Sequence, residues 1–239
     1  MEYLYVTLIA LGGSFIQASS GFGYAAFCMA LWPLVIPFRQ AVALEVITAL
    51  FMVAYLTFKL RKHINFRLML YPLLSTVVFS TLGVFTLMTG AETFLRRILG
   101  GALILLSVYF IFINGRIRVK PNRFNGLLAG GLSGLLGGLF AIGGPPIVIY
   151  LMSVTDDKME YNATLQCYFF ISSLYILFLH LVMGNVTGAT VGYGGVALLG
   201  VLVGTAAGLY LFQKLPMQTI RKMVSGFMAA AGLYLAING

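Results

Sequence analysis

The chain has 239 residues, of which 60% are hydrophobic and only 9% charged, and its formal net charge is +9. A soluble domain carries roughly 25% charged residues, so composition alone excludes an ordinary water-soluble domain. In a soluble protein the cation excess would point to nucleic acid; here the cations sit in short clusters between apolar runs, where charges face anionic lipid headgroups, and nucleic acid is excluded as a partner.

Asp, Glu, Lys and Arg are absent from Tyr3–Phe38, Leu68–Ala91, Phe124–Thr155 and Tyr161–Gln213. A bilayer-crossing helix needs about 20 mostly apolar residues. These runs therefore predict an all-α polytopic membrane protein with no soluble domain. In chain order the pattern predicts a broken hydrophobic element over 3–37, then helices over 40–59, 67–89 and 93–113. A basic linker follows over 114–123, with Arg116, Arg118, Lys120 and Arg123. A second broken element covers 124–154, and helices cover 159–183, 189–212 and 217–237. Glu2 stands where a signal peptide would be basic, and no small-residue cleavage site follows, so the first segment is expected to stay in the mature chain. Cys28 and Cys167 lie in apolar segments without metal-ligand spacing and read as packing residues; no metal and no cofactor are expected.

The order of one broken element and three helices thus occurs twice. The expected organisation is a first transmembrane repeat over 1–113, the linker over 114–123 and a second repeat over 124–239, together one membrane domain. Arg96-Arg97, Gly101 and Tyr109 recur at the same spacings as Arg221-Lys222, Gly226 and Tyr234, and Gly23 and Gly143 hold matching places in the two broken elements.

The broken elements are uncharged over 36 and 32 residues. A straight helix of that length would run to about 50 Å against a hydrocarbon core of about 30 Å. Two full spans with a turn would need more than about 40 residues. Each element is therefore one long interrupted helix or a re-entrant hairpin. Ser19-Ser20-Gly21-Phe22-Gly23 and Gly143-Gly144-Pro145-Pro146 are the expected interruptions, the prolines because they lack a backbone donor and disfavour helix before them. Charge distribution separates the two models. If every segment crosses, the 15 Lys and Arg divide 8 to 7. If the broken elements are re-entrant, Arg39, Arg96 and Arg97 lie on one side and the other 12 opposite, the asymmetry of a normally inserted protein. Each half then has an odd number of crossings, the halves have inverted topology, and both termini are expected to be periplasmic.

Ser20-Gly21-Phe22-Gly23 with Pro33, Gly134-Leu135-Leu136-Gly137-Gly138 running into Gly143-Gly144-Pro145-Pro146, and the closing segment from Leu215-Pro216 through Arg221-Lys222 to Gly232-Leu233-Tyr234 together resemble the TauE/SafE family of sulfite and sulfonate exporters. This chain has Gly-Phe-Gly where many members have consecutive glycines. The resemblance implies a multi-pass inner-membrane transporter whose substrate is a small sulfur-containing anion, sulfite or an organosulfonate, with export as the expected direction and uptake as the alternative.

A helix interrupted inside a membrane exposes backbone groups that must face protein or a wet cavity. The N-terminus of a half-helix carries open donors and partial positive charge, so two such ends can hold an anion without a buried cation. The substrate is accordingly expected between Ser19–Tyr24 and Gly143–Pro146. The expected binding residues are Gln17, Ser19, Ser20, Gly21, Gly23, Tyr24, Gly143, Gly144, Pro145, Asn162 and Gln166. Asn162 and Gln166 share a helical face at i, i+4. The opposing reading is that the polar side chains only bond between helices and the glycines only let helices approach, which is preferred for Gly12, Gly13, Gly130, Gly131 and Gly134. Glu45 is the one acid well inside a predicted span; it is a candidate proton-coupling group, or else an interfacial partner of Arg39. His180 and Trp32 read as interfacial. An enzyme is not expected, because His63 and His180 are the only histidines and no nucleophilic or metal-binding arrangement is present. A non-transporting scaffold subunit is the remaining alternative class. The oligomeric state is open between a monomer and a homodimer.

Overall fold

The structure, a computed structural model, describes residues 1–20, 23–113, 119–212 and 217–238, without the side chains of 19, 20, 113, 209, 211, 212 and 217–224. Expectations for Gly21, for the side chains of Ser19 and Ser20, and for Arg116, Arg118, Lys214, Arg221 and Lys222 lie outside the described residues.

Among the described residues the regular structure is helical throughout. The first broken element is α1 (Glu2–Ser20) and α2 (Tyr24–Leu31), closed by a 3-10 turn at Trp32–Leu34. Three long helices follow: α3 (Phe38–Leu60), α4 (Phe66–Thr89) and α5 (Glu92–Val108), the last extended by a π-turn over Tyr109–Ile113. The second broken element is α6 (Arg123–Phe140) and α7 (Gly144–Val154), followed by α8 (Lys158–Val182), α9 (Gly188–Phe212) and α10 (Met217–Asn238). Five helical segments are long and apolar enough to cross a bilayer: Phe38–His63, Phe66–Thr89, Glu92–Phe112, Lys158–Val182 and Gly188–Gly208.

The chain forms two compact units. The first is Met1–Thr48, Gly90–Asn114 and Val186–Gly239; the second is Ala49–Thr89 and Gly115–Asn185.

In the first unit α1 lies parallel along α9. Gly200, Gly204 and Gly208 press against the carbonyls of Thr7, Leu11 and Phe15, and a Cβ at any of the three would overlap those oxygens. In lipid, where helices gain little from hiding apolar area from one another, such close approach supplies the attraction. α2 doubles back along α1. Gly12 meets the Phe27 ring, Gly13 meets Tyr24 and Cys28, and the Trp32 indole donates to the Val6 carbonyl at 3.3 Å. Contacts that run backwards along α1 as they run forwards along α2 make the element a helical hairpin. α10 crosses α5 through Gly100 and Gly232, each against the other's carbonyl, and Ser107 donates to the Ser225 carbonyl at 2.6 Å.

The second unit also rests on close glycine contacts. α6 lies parallel along α4, with Gly130, Gly134 and Gly138 against the carbonyls of Pro72, Thr76 and Ser80. α7 then returns along α6: Gly143 abuts Ser133, and the Tyr150 hydroxyl covers Gly126. The returning end is tied by the Val119 amide, which donates to Ser153 Oγ at 3.0 Å. α8 packs on α4 through Tyr168–Thr76 and Tyr175–Thr81 hydroxyl pairs at 2.6 and 2.8 Å. The apolar core of this unit includes Met69, Ile147, Leu151, Leu165 and Tyr168.

Two residues expected at the interface are core residues instead. Trp32 is 0% exposed because the hairpin returns it to the foot of α1. His180 is 0% exposed because the chain after α8 folds over it. Gly184 takes φ 70°, which glycine accepts freely, and Asn185 reaches back with its amide to the His180 carbonyl at 2.9 Å and its side chain to the imidazole Nδ1 at 2.7 Å.

Candidate functional site

The tip of each hairpin is where backbone groups lose their helical partners. The first turn of any α-helix has amides without an intrahelical acceptor. At the first tip Gly23 adopts φ 107°, which lets the chain reverse and start α2 at Tyr24. The Tyr24 amide donates to Gln17 Oε1 at 3.1 Å. Because an N–H can only donate, the accepting atom must be the amide oxygen of Gln17, and its Nε2 is left as a further donor beside the amides of Ala25 and Ala26. The Tyr24 side chain points elsewhere, its hydroxyl donating to Thr48 Oγ1 at 2.7 Å, so this residue meets the tip through its backbone.

The second tip is built differently. α6 stops at Phe140, where Ala141 takes the left-handed conformation at φ 58°. The Ala141 amide caps the Gly137 carbonyl at 2.8 Å and the Ile142 amide caps Leu136 at 3.3 Å. Those carbonyls of α6 are thereby taken up, and the groups left open at this tip are donors. α7 begins at Gly144 with Pro145 and Pro146 in its first turn. The prolines were expected to stop a helix; they start one, since the early helical positions need no N–H and the fixed φ of proline already suits them. The consequence is chemical. Pro145 and Pro146 carry no N–H, so the open donors here are the amides of Gly143 and Gly144.

Two glycines at this tip have separate reasons to be there. Gly143 lies so close to Ser133 that a Cβ would stand 2.5 Å from the Ser133 carbonyl, and Ser133 Oγ donates to the Gly143 carbonyl at 2.5 Å. A Cβ at Gly144 would meet only the Phe169 ring, at 3.7 Å. Gly144 is thus open toward the space before α7. On α8, Gln166 Nε2 donates to Asn162 Oδ1 at 3.3 Å, and Phe169 continues the same face three residues on. In the second unit Gly144 thus faces Phe169, which lies on the α8 face that carries Asn162 and Gln166, with Gly143 and Pro145 on either side of it in the chain. The first unit brings Gln17, Gly23, Tyr24 and Glu45 together.

Glu45 is 3% exposed, on the stretch of α3 in the first unit. The Arg39 guanidinium donates to the Gly90 carbonyl at 3.2 Å. Thr48 enters this neighbourhood only in three dimensions; its hydroxyl bonds its own helix at Leu44 and also receives Tyr24, which a sequence gives no means to foresee.

The arrangement presents oriented donors at two broken helices, each with the positive end of a helix dipole, and uncharged side-chain amides beside them. No curated protein and no solved structure matches the chain. The family model described as sulfite exporter TauE/SafE matches residues 6–235, taking in both hairpins and every candidate residue named above. With that match and five segments able to cross a bilayer, the chain is a multi-pass membrane protein belonging to the TauE/SafE family of sulfite- and sulfonate-related membrane transporters.

Proposed function

We propose that this protein is a secondary transporter that exports a small anion, sulfite or an organosulfonate, across the cell inner membrane, coupled to protons through Glu45. The observation that carries this reading is the pair of helical hairpins at whose tips, among the described residues, donors stay open: Ala25, Ala26 and Gln17 Nε2 at one and Gly143 and Gly144 at the other. Open donors in a membrane require a partner, and a compact anion satisfies several at once. The open half-helix end of either hairpin offers a compact anion its donors, with Gln17 beside the first and Asn162 and Gln166 on α8 in the unit of the second. An anion held by dipoles and amides can also leave again, as transport demands, more readily than one paired with a buried Arg.

Thermal melting of the purified protein in detergent with sulfite, methanesulfonate, sulfate and chloride tests this. Sulfite or methanesulfonate is expected to raise Tm, as any ligand of the native state does. Gly144→Ala has room for its methyl beside Phe169, so it folds and screens the amides. Affinity should fall by about tenfold or more, the worth of one hydrogen bond to a charged group. Gly23→Ala should weaken binding through strain at φ 107°. If both variants respond to anions as the unaltered protein does, the tips are packing features and the transport reading loses its site.

A further inference from the structure

The first hairpin carries a second polar cluster, displaced from the tip along α2 and α3. Glu45 is 3% exposed and Thr48, one turn later on α3, is 0% exposed. Facing them from α2 are Tyr24, 3% exposed, and Cys28, 0% exposed, and both lie within electrostatic reach of the Glu45 carboxyl. The Tyr24 hydroxyl donates to Thr48 Oγ1 at 2.7 Å, and the Thr48 hydroxyl donates to the Leu44 and Glu45 carbonyls at 2.9 and 3.0 Å. Cys28 Sγ is directed to the Ile9 carbonyl at 3.8 Å. α9 sets Gly194 against Leu44 and Ile47, and Tyr193 beside it donates to Glu2. On α3 itself Arg39 donates to the Gly90 carbonyl.

A buried carboxylate is costly unless it collects hydrogen bonds, whereas a neutral carboxyl needs far less. Among the described residues, the Tyr24 O–H and the weaker Cys28 S–H, both on α2, are donors close enough to interact electrostatically with Glu45. When Glu45 ionises, its carboxylate and Thr48 Oγ1 compete for the same hydroxyl proton, and the charged acceptor forms the stronger bond. Tyr24 bonded to Thr48 is therefore the arrangement that belongs to a protonated Glu45.

We propose that Tyr24 is the positioning residue that ties the protonation state of Glu45 to the first hairpin, its hydroxyl bonding Thr48 while Glu45 holds a proton and turning to the carboxylate when that proton leaves to solvent. Tyr24 keeps its own proton throughout. The same residue opens α2, and its amide holds Gln17 at the tip, so its choice of partner is transmitted to the donors proposed to bind the anion. This inference rests on the reading of Glu45 as the proton-coupling group.

The molecule contains its own reporter. Trp32 is the single tryptophan, and the Tyr24 ring meets it edge-on with centroids 6.2 Å apart. Trp32 emission of the full-length protein in detergent, recorded against pH without any anion, should show one transition, which Glu45→Gln abolishes. Tyr24→Phe removes a donor that the ionised state needs, so the midpoint should move to higher pH by about one unit, the worth of one charge-assisted hydrogen bond. Thr48→Val removes the competing acceptor of the neutral state, so the midpoint should move to lower pH. Opposite shifts from two partners of one hydrogen bond are not what a merely structural contact produces. A transition that Glu45→Gln abolishes but that neither Tyr24→Phe nor Thr48→Val moves overturns the role of Tyr24, as does an emission profile flat with pH in the unaltered protein. Failure of the underlying reading looks different: anion transport by Glu45→Gln in proteoliposomes would still respond to a pH gradient.

Discussion

Asp157 shows how one exposed side chain fixes the start of a long helix. It accepts hydrogen bonds from the Met159 and Glu160 amides, at 2.7 and 2.9 Å, and so caps the first turn of α8. Those bonds, Glu160 first, together with the charge of His63, hold its carboxyl below the usual carboxylate range. The sign follows from linkage. A group whose folded value is depressed stabilises the fold fully above its unfolded pKa of about 3.9 and loses that contribution as pH falls through the folded value. Asp157→Asn keeps a capping oxygen without the titration. Melting curves from about pH 6 down to pH 3 should therefore show the unaltered protein losing more Tm than the variant across the lower part of the range. Equal losses would mean that the cap does not depend on charge. At this scale the sequence was informative where chemistry is local. Gln17 and the Asn162–Gln166 pair were legible as polar groups inside apolar runs, and the two amides on α8 do bond each other. Trp32 and His180 were not, because their burial depends on a chain reversal many residues away or on the loop that closes over them.

Helix pairs are held by glycine ladders, and the ladders discriminate sharply among glycines. Gly204→Ala and Gly130→Ala put a methyl into the Leu11 and Pro72 carbonyls, which should cost about 1–3 kcal/mol each as the helices are forced apart. Gly101→Ala and Gly226→Ala meet nothing within 4 Å and should be neutral or stabilising by up to about 1 kcal/mol, since alanine favours helix. Denaturant titration of the four variants in detergent checks this; similar losses at all four would show that glycine acts through helix flexibility rather than contact. The packing role expected of Gly12, Gly13, Gly130, Gly131 and Gly134 fits, since each faces a backbone or a ring. Helix limits were readable because charges mark them: the spans expected at 40–59, 67–89 and 159–183 are Phe38–Leu60, Phe66–Thr89 and Lys158–Val182. The interruptions were readable because 36 and 32 uncharged residues do not fit a bilayer as one straight helix. What stayed hidden is which helix each ladder meets and where the second element breaks. Ala141 has no special propensity for a left-handed turn, and it adopts one because two amides there cap α6. α2 and α7 begin at Tyr24 and Gly144, and α3 and α8 at Phe38 and Lys158, the same offset of 120 residues, a regularity finer than the few matching residues of the two halves.

For the molecule as a whole, the hairpins determine how crossings are counted. α2 has 8 residues and α7 has 11, about 12 and 17 Å of helix, too short to cross a hydrocarbon core of about 30 Å. If each hairpin returns to the side it came from, and α3, α4, α5, α8, α9 and α10 cross, then 12 of the 15 cations share one side. Both termini should then be periplasmic, and Lys59–Arg67, the 114–123 linker and Lys214–Lys222 cytoplasmic. A reporter fused after Gly239 that is active only in the cytoplasm would refute this arrangement.

The partner of α1 has a further consequence, for synthesis. α1 ends at Ser20 and its glycine partner α9 begins at Gly188, whereas α6, which ends at Phe140, pairs with α4, already made by Thr89. At about 5–20 residues per second the ribosome needs roughly ten to thirty seconds to produce α9 after finishing α1. Throughout that interval the first hairpin has no ladder to lie against, while the second finds its partner waiting as it emerges. The first hairpin, made before the second, is therefore seated after it, and a chain halted before Gly188 has a finished second hairpin and an unplaced first one.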